Sequence, residues 1–294
     1  MHRIITAVAV LTLAYLLSSC QTVEQYTFSD DVAFTERVPY GFGWTRGGAT
    51  LSTLYLDIVE PTVSSADKRP AIIMVHGGGF EDGSRSDDNL RQVADNLASI
   101  GYVCFLIDYR LSGDDPPLNY PFPKVDVSYP AARAAIVDTK TAVRYVRDNA
   151  AAFSIDPQRI GLMGESAGAV AVLAAGLSNA DEYLDDGPDL EVPEQNHPGV
   201  DSSVSVIVDC WGSADYFLDS FDAADPPIMI WHGTNDTTAG TWFTSALAIV
   251  LECNTIGIPY ELYPIIGAGH GAWDNEYSGV DLSSAIAGFL GRYL

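Results

Sequence analysis

Basic residues are scarce in this chain. Fifteen lysines and arginines face 39 aspartates and glutamates among 294 residues, a formal charge of −24. That shortage excludes nucleic acid as a partner, because phosphate binding needs clustered cations. It also excludes electrostatic attraction to anionic lipid. Cysteine is sparse as well. Cys20, Cys104, Cys210 and Cys253 include no CxxC pair, which argues against zinc or thioredoxin-type chemistry. The glycines from Gly77 to Gly83 fit no G-x-G-x-x-G register, and no P-loop lysine follows them, so a nucleotide cradle is excluded too. Neither a cofactor nor a metal is expected. What the chain does have is apolar residues, 47% of the total, enough for a sizeable core. The length suits one α/β-sized domain, with no internal repeat and no linker that would split it. The oligomeric state is left open.

Residues 1–19 read as an address. Arg3 gives a positive start, and residues 4–17 form an apolar run too short to cross a bilayer comfortably. The run ends in Leu17-Ser18-Ser19-Cys20. These residues resemble the lipobox of bacterial lipoproteins, which implies cleavage before Cys20 and acylation of Cys20. Gln21 in place of aspartate implies outer-membrane sorting in a Gram-negative cell. An ordinary signal peptide cut near Ser18 or Ser19 is the alternative, and it exports the protein too. The expected location is the outer membrane, the periplasm or the cell surface, with contact to the membrane through a lipid on Cys20. Residues 20–50 are expected to be a tether and lead-in, and residues 51–294 the folded domain. Cys104 lies in an apolar run and reads as a core residue, whereas Cys210 and Cys253 could pair.

Past the tether, β-rich runs alternate with helical segments. Strands are expected at residues 54–59, 71–75, 102–107, 160–163, 204–208, 228–231 and 260–263. Helices are expected at 88–99, 131–153, 167–177, 241–257 and 283–290. The continuous apolar runs suit strands buried on both faces. The alternation predicts a mostly parallel sheet with helices on both faces. Residues 113–130 are proline-rich and read as a loop. Residues 178–203 carry eight acids and read as a solvated insertion, with Ca²⁺ binding the less favoured alternative because no EF-hand spacing occurs.

Ligands of such sheets bind beyond the carboxyl ends of the strands, and four clusters fall there. They are His76-Gly77-Gly78-Gly79-Phe80, Gly164-Glu165-Ser166-Ala167-Gly168, His232-Gly233-Thr234-Asn235-Asp236 and Gly267-Ala268-Gly269-His270-Gly271. The second fits G-x-S-x-G between a strand and a helix, a turn that exposes a serine hydroxyl. Ser166 is therefore the candidate nucleophile. It needs a base, and of His76, His197, His232 and His270, His270 lies in the glycine-rich loop best placed to reach it. His76 and His232 are expected to shape turns, and His197 to be solvated. Asp236 is the candidate acid that orients the base, in the chain order Ser…Asp…His. Asp209 and Asp215 are the runners-up. Backbone N–H groups of Gly78, Gly79 and Ala167 are the candidate oxyanion donors. Phe80, Tyr109, Glu165, Trp211 and Trp273 are candidates for the substrate pocket, with pocket wall and core as the plainer role of each aromatic.

With these clusters in this order, the chain resembles the α/β-hydrolase superfamily, and within it the HGGG-bearing esterases related to hormone-sensitive lipase and to bacterial carbohydrate-side-chain esterases. Asp108-Tyr109-Arg110-Leu111, and Ile155-Asp156-Pro157 ahead of Arg159-Ile160, are similar to segments of that group. The resemblance implies an α/β-hydrolase fold from residue 54 to the C-terminus and serine ester hydrolysis through an acyl-enzyme. The short N-terminal stretch implies a cap that is small or absent. Thr237-Thr238 stands where the family carries a Val-Pro-like pair. The expected substrates are short-chain esters or acetyl and feruloyl esters linked to carbohydrate, free or on polysaccharide. A lipase for longer chains, a serine peptidase of the oligopeptidase-related group and a non-catalytic binding module are the alternatives.

Overall fold

The computed structural model describes residues 24–63, 65, 67–117, 129–187 and 189–294; the address and Cys20 lie outside the described residues. Eight strands form one sheet: β1 (Val32–Thr45), β2 (Thr50–Pro61), β3 (Arg69–Val75), β4 (Val103–Ile107), β5 (Ile155–Glu165), β6 (Val206–Cys210), β7 (Ile228–Gly233) and β8 (Tyr260–Ile265). Their order is β1-β2-β4-β3-β5-β6-β7-β8. β1 and β2 pair antiparallel, as do β2 and β4, and every later pairing is parallel. Five helices connect them: α1 (Asp88–Ser99), α2 (Tyr129–Asp148), α3 (Ala167–Leu177), α4 (Phe243–Ile256) and α5 (Leu282–Tyr293). A two-residue hairpin, β9 (Glu276–Tyr277) and β10 (Val280–Asp281), precedes α5. Among the described residues the other helical pieces are three-residue 3-10 turns, and no helix is long and apolar enough to cross a membrane.

The period of the strands divides the core in two. Ala71, Ile73 and Val75 of β3 pack with α2, α3 and α4, while Ile72 and Met74 pack with α1 and α5. β4 divides the same way, with Phe105 on the first face and Cys104 and Leu106 on the second. This is the predicted sheet covered on both sides. Cys210 and Cys253 fall in different halves of the core, and both are free and buried, as is Cys104.

Two expectations change. The stretch read as tether contributes β1, whose pairing with β2 runs from Val32↔Pro61 to Thr45↔Thr50. β1 hides from a periodicity argument because it is an edge strand with register shifts, a proline at 39 and Gly41 and Gly43 inside it. Gly43 has a packing reason: a Cβ there would run into the Arg110 guanidinium. The acidic insertion is also not simply solvated. Asp186 is buried, and its Oδ2 accepts from Arg110 Nη1 at 2.7 Å and from the backbone N–H of Trp44 at 3.2 Å. Asn196 is buried as well, exchanging both amide hydrogen bonds with the Phe42 backbone. The insertion is thus clamped onto β1.

Arg110 is the centre of that clamp. It is buried, pairs with Asp138 at 2.6 Å and Asp186 at 2.7 Å, and donates to the Trp44 carbonyl at 2.9 Å. Removing the guanidinium would leave two carboxylates uncompensated in the interior. Arg110→Ala is expected to cost about 3–5 kcal/mol, read as a lower urea midpoint at an unchanged slope.

Candidate active site

The nucleophile turn is built by close packing. Ser166 joins β5 to α3 with φ 54° and ψ −120°, a left-handed conformation costly for a side-chain-bearing residue. A Cβ at Gly164 would strike the Gly168 carbonyl, and one at Gly168 would strike the Val75 carbonyl. Only glycine fits on either side, so the turn can pass this close to α3 and β3. The Ser166 N–H donates to the Cys210 carbonyl at 2.9 Å, which fixes the turn against β6.

The structure brings Ser166, His270 and Asp236 together. His270 Nε2 lies 2.8 Å from Ser166 Oγ, and Nδ1 lies 2.7 Å from Asp236 Oδ2. Because the carboxylate only accepts, Nδ1 carries the hydrogen, and the Nε2 lone pair faces the serine hydroxyl. Asp236 is fully buried, whereas a quarter of the His270 side chain is exposed. Burial alone would push the Asp236 carboxyl up. Hydrogen bonds from His270 and from the Thr238 N–H outweigh it and hold the group below the usual carboxylate range. The Thr237-Thr238 departure therefore has a purpose here: the Thr238 N–H caps Asp236 Oδ1 at 2.9 Å.

His232 supplies a partner that the sequence did not suggest. It is buried, and its Nε2 lies 2.9 Å from the Thr241 carbonyl and 3.1 Å from Asp236 Oδ2. The carbonyl fixes the hydrogen on Nε2, so Asp236 Oδ2 faces N–H groups of two imidazoles. Burial lowers the His232 pKa, against the pull of Asp236 and the Thr241 carbonyl. The signal available was a histidine closing a strand four residues before the acid. The runner-up acids lie elsewhere. Asp209 accepts from the Gly212 N–H at 2.8 Å and is pushed up to about 7 by burial. Asp215 accepts from Ser245 Oγ at 2.7 Å. Of the other histidines, His197 bonds Asp148 at 2.8 Å instead of being free in solvent, and His76 shapes its turn through the Gly77 carbonyl at 2.8 Å.

The glycine loop after β3 lies next to the serine. Gly78 and Gly79 have φ of 102° and 65°, backbone that favours glycine, and a Cβ at Gly78 would strike the Asp82 carbonyl. Tyr109 does not line a pocket. It is buried behind this loop, stacked on His76 at 4.3 Å, and its hydroxyl donates to the His76 and Gly77 carbonyls at 3.1 and 3.2 Å. Glu165 is partly exposed beside the serine. Its carboxylate accepts from the Gly77 N–H and, at 3.1 Å, from Trp211 Nε1. Trp211 is fully buried, edge-on to the His270 ring at 6.4 Å, and cannot stack on a ligand. These three form a brace beneath the site, linking the glycine loop, the serine turn and the histidine. Phe80 and Trp273 remain half-buried at the rim. Adjacency to the nucleophile in sequence gave no hint of which side of the turn Glu165 occupies.

Burial raises the Glu165 carboxyl, and the two N–H donors offset part of that. Glu165→Gln would place an amide NH₂ against one of those donors. A loss of about tenfold in kcat at little-changed KM is expected, short of the ~10²–10³ that deleting an oxyanion donor costs. Steady-state kinetics on p-nitrophenyl acetate would separate the two parameters.

Residues 56–222 match the BD-FAE family model. The chain belongs to the BD-FAE family. The matched span contains the glycine loop and the serine turn, and the structure adds Asp236 and His270 from beyond it. Among solved structures, this BD-FAE chain is similar to esterase 2 of Thermogutta terrifontis phosphorylated by paraoxon. The TM-score is 0.61 at 26% identity, covering 87% of this chain and 90% of that one. The fold is the α/β-hydrolase fold. Esterase LipC of Mycobacterium tuberculosis is 33% identical over 147 residues, 50% of this chain and 30% of its own length. The chlorogenic acid esterase of Aspergillus niger is 30% identical over 135 residues, 44% of this chain and 24% of its own. The BD-FAE chain thus spans less than a third of these two curated relatives.

Proposed function

We propose that the protein is a serine carboxylesterase acting through an acyl-enzyme. The observation that carries this reading is the hydrogen-bonded line from Ser166 Oγ to His270 to Asp236, with the serine partly exposed on a strained turn. Ser166 Oγ attacks the ester carbonyl while His270 Nε2 takes its proton. Asp236 holds the imidazole in the required tautomer and stabilises the imidazolium. The N–H groups of Gly78, Gly79 and Ala167 receive the oxyanion. His270 then returns the proton to the leaving alcohol. Water, deprotonated by His270, releases the acid and restores the serine.

The substrate class we favour is short acyl or feruloyl groups on carbohydrate. Support comes from a partly exposed serine and histidine, which an alcohol group can approach, and from similarity to an esterase named for chlorogenic acid. The negative charge of the chain suits a neutral ester. A panel of acetyl, feruloyl and long-chain esters tests this. Acetyl or feruloyl esters of sugars should show the highest kcat/KM, and an optimum that rises with acyl length would instead indicate a lipase. We place the enzyme outside the cytoplasm, held by a lipid on Cys20. A Cys20→Ser variant should leave the membrane fraction, and its persistence there would overturn the anchor.

A further inference from the structure

The acid of the site stands on a surface loop. Asp236 and Thr241 are buried, while Thr237, Thr238 and Ala239 between them are exposed and Gly240 turns with φ 87°. The Thr238 N–H donates to Asp236 Oδ1 at 2.9 Å, and the Thr241 N–H donates to the Thr238 carbonyl at 3.1 Å. Both bonds are internal to the loop, and neither fixes it to the sheet. Loops with few buried contacts open at low cost, and a carboxylate carried on one would move with it.

One group reaches both buried ends. His232 belongs to β7, which is paired on one side with β6 and on the other with β8. Its side chain is fully buried, and Phe243, the first residue of α4, packs edge-on against the ring at 5.9 Å. Nε2 lies 2.9 Å from the Thr241 carbonyl and 3.1 Å from Asp236 Oδ2. A single N–H is thus shared between the first and last residues of the loop. Thr241 Oγ1 lies 3.4 Å from His270 Nδ1, so both of these ends face the base.

The choice of histidine is informative. Among the described residues, His232 Nδ1 has no hydrogen-bond partner although it is buried. A buried nitrogen left unpaired lowers stability. An apolar residue of similar size would avoid that cost, so packing does not account for an imidazole here, whereas its Nε2–H does. The oxygen it holds is the one that matters, because Asp236 Oδ2 also accepts from His270 Nδ1 at 2.7 Å. With Oδ1 bound by Thr238 and Oδ2 by His232, both oxygens are fixed independently of His270, and the carboxylate stays aimed at Nδ1. We infer that His232 is a positioning residue for acyl transfer: its shared N–H pins both ends of the acid loop to the sheet and so holds Asp236 on His270. The role rests on the serine-esterase reading above, and His232 acts only through Asp236 and its loop.

Two variants test this. His232→Gln keeps an N–H donor near the Nε2 position, and His232→Leu removes it. On p-nitrophenyl acetate, His232→Leu should lose about 10- to 100-fold in kcat with KM within about twofold, at a melting temperature close to wild type. His232→Gln should regain most of that loss. In an Asp236→Asn background the same His232→Leu change should cost little, because the group it positions is gone.

The rings can also be read without turnover, by NMR of protein carrying isotope-labelled histidine. His232 should hold its hydrogen on Nε2. The His270 Nδ1–H resonance should be sharp in wild type and His232→Gln and broadened in His232→Leu. Unchanged kcat in His232→Leu, an equal loss in the Asp236→Asn background, no recovery in His232→Gln, or a His232 hydrogen on Nδ1 would overturn the role. The two readings fail separately. A wild-type protein that hydrolyses no ester but shows these resonances would sink the esterase reading and leave the clamp standing. An active wild type matched in kcat by His232→Leu would do the reverse.

Discussion

Ser166→Ala is expected to lower kcat on p-nitrophenyl acetate by about 10⁵–10⁶-fold. The hydroxyl lies 2.8 Å from His270 Nε2, so its loss removes the nucleophile and leaves the base without that proton to take. The glycine loop and the N-terminus of α3 stay in place, and residual hydrolysis should reflect their oxyanion donors alone. Alanine keeps the same Cβ as serine and meets the same positive φ, so the melting temperature should barely move. Burst kinetics would check the step affected. Wild-type enzyme should release a stoichiometric burst of p-nitrophenol if deacylation is slow, and the variant none.

Asp236→Asn should reduce kcat by about 10⁴-fold with a much smaller change in KM. The reason is the tautomer. Oδ2 faces both His270 Nδ1 at 2.7 Å and His232 Nε2 at 3.1 Å. An asparagine amide would either put its NH₂ at the Oδ2 position, donating toward Nδ1 and turning the hydrogen of His270 onto Nε2 where it faces Ser166, or put it at the Oδ1 position against the Thr238 N–H. A stability signature accompanies this. The folded Asp236 carboxyl is held below its ordinary range by His270 and Thr238 despite burial. Its contribution is therefore fully present above the unfolded-chain pKa and lost as pH falls through the lower folded value. Wild type should exceed Asp236→Asn in melting temperature at neutral pH, and the gap should close toward strong acid.

Much of the site was legible in sequence because its chemistry needs residues that leave marks. Gly164 and Gly168 have no alternative where carbonyls approach so closely, and strands buried on both faces write continuous apolar runs. Those two marks locate Ser166, the glycine loop and the loop of His270. The helices at 88–99 and 167–177 were read with the bounds the structure gives, because Asp87 caps the first and the serine turn starts the second. The residues that were misread are those whose role depends on direction and not position. Trp211 points inward and meets Glu165, Tyr109 props the loop from behind, and His232 turns back onto Asp236. Edge strand β1 was read as tether because bulges and glycines break its alternation. Asp186 was read as solvated because its partner Arg110 lies 76 residues away.

The central claim is that Ser166 is the activated nucleophile. Its most direct test is covalent capture: incubate the protein with paraoxon and locate the diethylphosphoryl group by peptide mass spectrometry. One adduct per chain on the peptide bearing Ser166, with loss of esterase activity in step with labelling and no labelling of Ser166→Ala or His270→Ala on the same time scale, is the predicted result. An adduct on another residue, or a Ser166→Ala protein that labels as fast as wild type, would contradict it.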